Sequence, residues 1–194
     1  MARPEHLIRL EAGGANTVTL QTTRGTIDIE VYPDRAPLSA GQFLQCVRLG
    51  HYDGGTFWRA VRADNDHGSP PIEVVQAAVA EGAPPLAPLA HEPTSLTGLR
   101  HRDGTVSLAR AEPGTATAAA FFICQGNQPA LDEGGLRNPD GLGFAAFGRV
   151  LRGMEVVRAI HRSATLAEAP AEYIRAQVLA TPVRIERAAL GGWA

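Results

Sequence analysis

Val18 and Leu20 alternate with polar residues up to the turn Thr23-Arg24-Gly25, and Ile27, Ile29 and Val31 alternate away from it. A period of two belongs to strands, because successive side chains leave a pleated backbone on opposite faces. Two such runs joined by so short a turn fold back on each other, so a β-hairpin is predicted near the start of the chain. Similar short apolar segments recur at 57–61, 73–77, 106–109, 120–124, 145–150 and 183–185, separated by turn-rich stretches. With 21 Gly and 14 Pro in 194 residues, that punctuation leaves little room for long helices. Two segments instead carry helical spacing. One is 38–49, with Phe43, Leu44, Cys46 and Val47 grouped and Gly50 as a stop; the other is 154–160, entered through Gly153, with Val156, Val157 and Ile160. The expected fold is mainly β: a closed antiparallel barrel capped by two α-helices.

Hydrophobic residues make up 44% of the chain and charged ones 20%, the balance of an ordinary globular protein. The length suits one domain, residues 1–194, with 1–15 as a loose leader ending at Gly13-Gly14. A net charge of -2 gives no electrostatic footprint for nucleic acid, and no apolar stretch approaches a membrane span. Every basic residue is Arg, which excludes both a Schiff-base lysine and a phosphate-loop lysine. The six His residues lack ligand spacing, and Asp64-Asn65-Asp66 is not followed by the Glu of a calcium loop, since position 75 is Val. No cofactor and no metal are expected. Cys46 and Cys124 sit in apolar contexts and read as buried free thiols. No signal peptide is visible between Met1 and Leu10, so a cytoplasmic location is expected, or a periplasmic or secreted one if the chain is a processed form. Polar, glycine-rich stretches at 62–71 and 126–142 are expected to be mobile or irregular loops, with 63–69 dispensable to the fold, and 80–95 a long surface loop.

Five ordered pieces carry a resemblance. They are Phe57-Trp58-Arg59; Gly104-Thr105-Val106-Ser107-Leu108-Ala109-Arg110-Ala111; Ala120-Phe121-Phe122-Ile123; Leu131-Asp132; and Phe147-Gly148-Arg149-Val150. In this order they resemble the cyclophilins, a family of peptidyl-prolyl cis-trans isomerases, which write them F-H-R, G-x-[LV]-S-M-A-[NR]-A, S-Q-F-F-I, L-D and F-G-x-V. The likeness runs from about Thr19 to about Arg187 and implies a cyclophilin-like barrel.

It also implies a chemistry with few requirements. Rotation about the bond before proline faces a barrier of about 18–20 kcal/mol, because amide resonance must be broken. No covalent bond changes, so no nucleophile, metal or acid–base pair is needed. What helps is an apolar slot for the proline ring and a donor aimed at the prolyl nitrogen, which regains a lone pair in the twisted state. By the resemblance Arg59 is the catalytic donor, with Gln76 supporting it and Phe122 flooring the proline pocket. Phe57, Val74, Arg110, Ala120, Leu131 and Phe144 would contact substrate. Spacing alone would leave Arg59 a solvated strand arginine and Phe122 a core residue. Alternation puts Phe121 and Phe122 on opposite faces, so only one of them can line a pocket.

Several positions depart from the family pattern. Trp58 replaces His, Glu73 a pocket Phe, Ala120 a Gln, Ala130 an aromatic and Phe144 a His, and an insertion sets Gln76 17 residues beyond Arg59. The implied partners are proline-containing polypeptides, with no nucleic acid and no membrane, and the chain is expected to be a monomer. The alternative reading is a weak or inactive cyclophilin-fold module that binds proline-containing segments.

Overall fold

The computed structural model describes residues 16–110 and 112–191. The leader expected over 1–15 lies outside them. The hairpin forms as the alternation requires: β1 (Thr17–Thr22) pairs antiparallel with β2 (Gly25–Val31), placing Val18 opposite Ile29 and Leu20 opposite Ile27. All four are fully buried. On the other face Thr19 donates its hydroxyl to Asp28 at 2.6 Å, and Arg152 reaches the second oxygen of Asp28 at 3.0 Å.

Seven further strands follow: β3 (Thr56–Val61), β4 (Val74–Ala78), β5 (Leu89–Ala90), β6 (Thr105–Ala109), β7 (Thr115–Cys124), β8 (Ala145–Arg152) and β9 (Val178–Leu190). The sheet runs β4-β3-β9-β1-β2-β8-β6-β7, and β7 pairs back onto β4, so eight antiparallel strands close into a barrel. Closure satisfies both edges that an open sheet would expose. The two-residue β5 adds to the outer side of β7.

Helix α1 (Pro37–Arg48) buries Phe43, Leu44, Cys46 and Val47 against β7, β8 and β9. Its entry is fixed by a residue far away in sequence. Buried Glu92 accepts the Leu38 and Ser39 amides at 3.1 and 2.7 Å and the Ser39 hydroxyl at 2.6 Å. A carboxylate there satisfies orphan N–H groups and complements the positive end of the helix. The segment 80–95 is therefore a surface loop only in part: it contains β5, is tied down at Glu92 and runs into the single turn α2 (Thr94–Thr97). Helix α3 (Met154–His161) buries Val157 and Ile160 and packs against β2, β3 and β4. Gly153 at its start has φ +91°, and a Cβ there would lie 2.3 Å from the Thr26 carbonyl oxygen, so no other residue fits.

The barrel interior is one apolar cluster. Phe43, Tyr52, Phe57, Phe121 and Phe147 form its centre, with ring centroids 4.7–5.9 Å apart in tilted or edge-on contacts. Cys46 and Cys124 are buried free thiols, and burial pushes the Cys46 thiol up to about 11.

The loop 62–71 is irregular, as expected, but it is not a free appendage. Buried Asn65 donates to the Ala60 and Ala176 carbonyls at 3.2 and 2.8 Å and accepts the Arg62 amide at 2.7 Å. Asp66 accepts two N–H groups from Arg137, both at 2.7 Å, together with the Gly68 and Ile72 amides at 3.1 and 2.8 Å. Deleting 63–69, expected to leave the fold intact, would remove both anchors and leave Arg137 with the Pro70 carbonyl at 3.0 Å but no carboxylate.

Candidate active site

Three strands set the site by register. Arg59 on β3 stands opposite Gln76 on β4, and Gln76 stands opposite Phe122 on β7. Adjacent strands lie about 4.8 Å apart, so these side chains form one row spanning about 10 Å on the outer face of the barrel. One pleat along, Val61, Val74 and Cys124 form a second, apolar row in the same register. The residues between, Ala60, Val75, Ala77, Phe121 and Ile123, point inward to the core. Strand alternation thus divides the barrel wall into an apolar interior and a functional exterior.

A β-bulge makes this arrangement possible on β3. Trp58 is the extra residue, so Phe57 pairs with Ala77 while Arg59 pairs with Gln76. Without a bulge, residues two apart share a face; with one, Phe57 turns into the core and Arg59 out to the groove. This corrects the expectation that Phe57 contacts substrate: it is fully buried against Phe121. Ala120 is not brought to the groove either. It pairs with Ala78, one pleat beyond the row that holds Phe122, and lines no part of the cavity.

The remaining expected residues come together. A groove of about 360 Å³ is lined by Arg59, Val74, Gln76, Arg110, Phe122, Leu131 and Phe144, joined by Val61, Ile72 and Tyr173 at its sides. Its floor is a small apolar cluster of Val61, Ile72, Val74, Phe122, Cys124 and Leu131, separate from the barrel interior. Phe144 meets the Phe122 ring edge-on at 5.3 Å, and the Arg110 guanidinium lies 5.8 Å from the Phe144 ring centre. Arg110 is itself held by Asp140 and by the Gly143 carbonyl at 3.1 Å.

Arg59 is gripped by neutral acceptors. Its Nε and one Nη2 hydrogen go to the Oε1 of Gln177 at 2.9 and 2.6 Å, and one Nη1 hydrogen goes to the Oε1 of Gln76 at 3.1 Å. A guanidinium carries five N–H donors, so two remain unspent. Among the described residues, no carboxylate lines the groove. Burial pulls the Arg59 pKa below its ordinary value, yet a guanidinium keeps its charge at any physiological pH. The Tyr173 ring centre lies 5.9 Å from the guanidinium carbon.

A buried pair supports the floor from behind. The His101 ring lies nearly parallel to the Phe122 ring at 6.0 Å. Asp132 accepts the His101 backbone amide at 2.9 Å and contacts Nδ1 at 2.8 Å, while Nε2 lies 3.1 Å from the Ser107 hydroxyl. Burial lowers the His101 pKa, so the ring is neutral; Nδ1 donates to the carboxylate and Nε2 accepts from Ser107. Burial works to raise the Asp132 pKa, but its bonds to His101 outweigh that and lower it.

Sequence reasoning did not single out Gln177, Tyr173, Ile72 or Arg137. Gln177 is fully buried, and its Nε2 donates to the Asn65 carbonyl at 2.8 Å, so it ties Arg59 to the 62–71 loop. Tyr173 comes from the turn Glu172–Ile174 and supplies an aromatic rim in a groove where position 130 is Ala. Ile72 supplies the apolar contact that Glu73 does not: the Glu73 carboxylate turns away, 3.7 Å from His161. Arg137 lines the groove while bound to Asp66. None of the four belongs to a local pattern; each is defined by a partner distant in sequence.

A closed eight-stranded barrel bearing an unneutralised arginine over an apolar pocket on its outer face defines a class of folding catalysts, the peptidyl-prolyl isomerases of barrel type. The family model "Cyclophilin type peptidyl-prolyl cis-trans isomerase/CLD" matches residues 17–189, and the chain belongs to that family. The Streptomyces antibioticus peptidyl-prolyl cis-trans isomerase cyp18 is 35% identical over 145 residues, covering 75% of this chain and 82% of the relative. A peptidyl-prolyl cis-trans isomerase of Acinetobacter baylyi is 31% identical over 148 residues, 74% of this chain and 71% of the relative. Among solved structures, a Cryptosporidium parvum cyclophilin-type isomerase crystallised in the presence of the dipeptide Ala-Pro shares the fold, with a TM-score of 0.67 at 16% identity. The match covers 91% of this chain and 99% of that one.

Proposed function

We propose that this cyclophilin-type peptidyl-prolyl cis-trans isomerase works as one domain and a monomer. It binds Xaa-Pro segments of polypeptides in the groove and twists them against Arg59. The proline ring seats on Phe122, Val74 and Leu131, where burying an apolar side chain is worth about 1.5–3 kcal/mol. Arg59 then directs its two unspent N–H donors at the prolyl nitrogen. In the planar amide that nitrogen's lone pair is delocalised and accepts poorly; in the twisted state it accepts well. The interaction therefore favours the transition state over the ground state, the requirement for acceleration. Gln76 and Gln177 hold the guanidinium in place before substrate arrives, so little reorganisation accompanies the reaction. Arg110 contributes its main chain on the far side of the groove, and its side chain braces Phe144. The groove needs no nucleic acid, membrane or cofactor.

The observation that carries this reading is the clamp on Arg59: a cation held by two neutral glutamines, with donors left over, at the rim of an apolar pocket. The binding-only alternative rested on the departures at Glu73, Ala120 and Ala130. Ile72 and Tyr173 offset two of them from other positions, and Ala120 lies outside the groove. The test is an isomerisation assay on a short Xaa-Pro peptide, by NMR exchange or protease coupling. The wild-type chain should accelerate exchange and Arg59→Ala should do so far more weakly, while both bind the peptide. Equal acceleration by the two would remove Arg59 from the mechanism.

A further inference from the structure

A second concavity, of about 280 Å³, shares no lining residue with the groove. It opens between the end of β2, the segment 98–105 and β8, and Arg35, Arg100, Arg102 and Arg149 stand around it with Asp103. The nearby anions are already committed. Asp103 accepts from Arg158 at 2.7 Å and from the Gly126 amide at 2.8 Å. Glu30 takes Arg149 at 2.9 Å and the Tyr32 hydroxyl. Two guanidiniums are left over. Arg35 donates its Nε to the Thr97 carbonyl at 2.9 Å and makes no ion pair among the described residues; Arg102 likewise makes none. Arg100 is paired with Asp132 at 3.5 Å. The backbone makes room for this: Gly98 has φ +67°, and a Cβ there would lie 2.7 Å from an Arg35 Nη2.

Arg35 and Arg102 are two unpaired cations beside one cavity, and they repel one another unless an anion joins them, although the chain as a whole carries a net charge of -2. A carboxylate offers two oxygens and one charge. A phosphate group offers at least three terminal oxygens and close to two charges, which matches two unpaired guanidinium forks better. We propose that this cavity is an anion site that takes a phosphate group, free or as a monoester, independently of the isomerase groove.

The test uses the full chain and inorganic phosphate, followed by backbone-amide NMR, with chloride at matched ionic strength as control. Saturable shifts confined to Arg35, segment 98–105 and Arg149, with a dissociation constant of about 1 mM or tighter, support the site. Arg35→Ala and Arg102→Ala should each weaken binding by about tenfold, the worth of one charge-assisted hydrogen bond. Both residues are exposed, and the bond lost in Arg35→Ala is the one to the Thr97 carbonyl, so other changes in the amide spectrum should stay local to the cavity. Arg59→Ala should bind phosphate as the wild type does. Phenyl phosphate separates the sources: tighter binding than inorganic phosphate points to an esterified occupant, equal or weaker binding to the free ion. Shifts that chloride reproduces, that fail to saturate, or that survive the double variant overturn the proposal.

Discussion

Arg59 and Phe122 sit in one cross-strand row, yet the proposed mechanism gives them different energetic signatures. The arginine acts on the twisted state, so Arg59→Ala should lower the isomerisation rate with little change in peptide affinity. A hydrogen bond to a charged group is worth about 1.5–3 kcal/mol. At about 1.4 kcal/mol per tenfold, the loss is roughly 10- to 150-fold in kcat/KM. The ring contacts proline in both states, so Phe122→Ala should weaken binding and rate together. Gln177 makes the sharper test, because it touches no substrate in this scheme. Gln177→Ala frees two Arg59 donors and leaves the Asn65 carbonyl short of a partner, so kcat should fall while KM holds, with stability lower by about 1–3 kcal/mol. Gln177→Glu keeps an acceptor but sets a carboxylate against Arg59 and loses the donor to the Asn65 carbonyl, so the rate should stay low; a rate near that of the wild type would mean that a neutral clamp on Arg59 is not required. Arg59, Gln76 and Phe122 were legible because a family motif carries them. Gln177 was not, since a lone Gln between Ala176 and Val178 has no pattern to announce it.

At the level of elements, the hairpin, α1 and α3 were readable to within a residue or so. Their apolar period is local, and Gly50 and Gly153 mark their ends. The bulge at Trp58 was not readable, because a bulge is a property of two paired strands and only one is visible in any window. That single feature accounts for the misplacement of Phe57. The loops 62–71 and 126–142 are irregular, as expected, but they are not independent: Arg137 and Asp66 lie 71 residues apart and lock them together, a pairing no local window shows. The lock has a measurable consequence. In Arg137→Ala the nearly inaccessible Asp66 carboxylate loses its cation but keeps the Gly68 and Ile72 amides. Those two amides should exchange faster with deuterium, while barrel amides such as those of Val75 and Ile123 keep their protection. Because Ile72 floors the groove, peptide affinity should fall more than kcat. Uniform loss of protection across the barrel would instead show that the lock belongs to the global fold.

Over the whole molecule, the closed barrel buries a few ionisable groups whose titration should shape its stability. Burial lowers the pKa of His101 and of His161 below the ordinary 6.5. As pH falls through about 6.5, the unfolded chain takes up these protons and the folded chain does not. Stability therefore drops toward acid, by up to about 1.4 kcal/mol per pH unit for each histidine. A second set acts lower down. Burial alone would raise Asp66 and Asp132, but Arg137 and the Ile72 and Gly68 amides hold the first, and His101 and Arg100 the second, below the ordinary 3.8. Their contribution is complete above about pH 4 and is lost as pH falls through the depressed folded values. Urea unfolding followed across pH should thus show a plateau above about pH 7, a first decline below about 6.5 and a steeper one below about 4. His161→Gln should flatten part of the first decline without touching the second, because His161 is bonded to Val61 and not to either aspartate. Asp66→Asn should do the reverse. It lowers stability at neutral pH by removing the carboxylate from Arg137, and it reduces the loss below about pH 4. A profile flat between about pH 7 and 5 would mean that both histidines titrate as they do in the unfolded chain, which their burial does not allow.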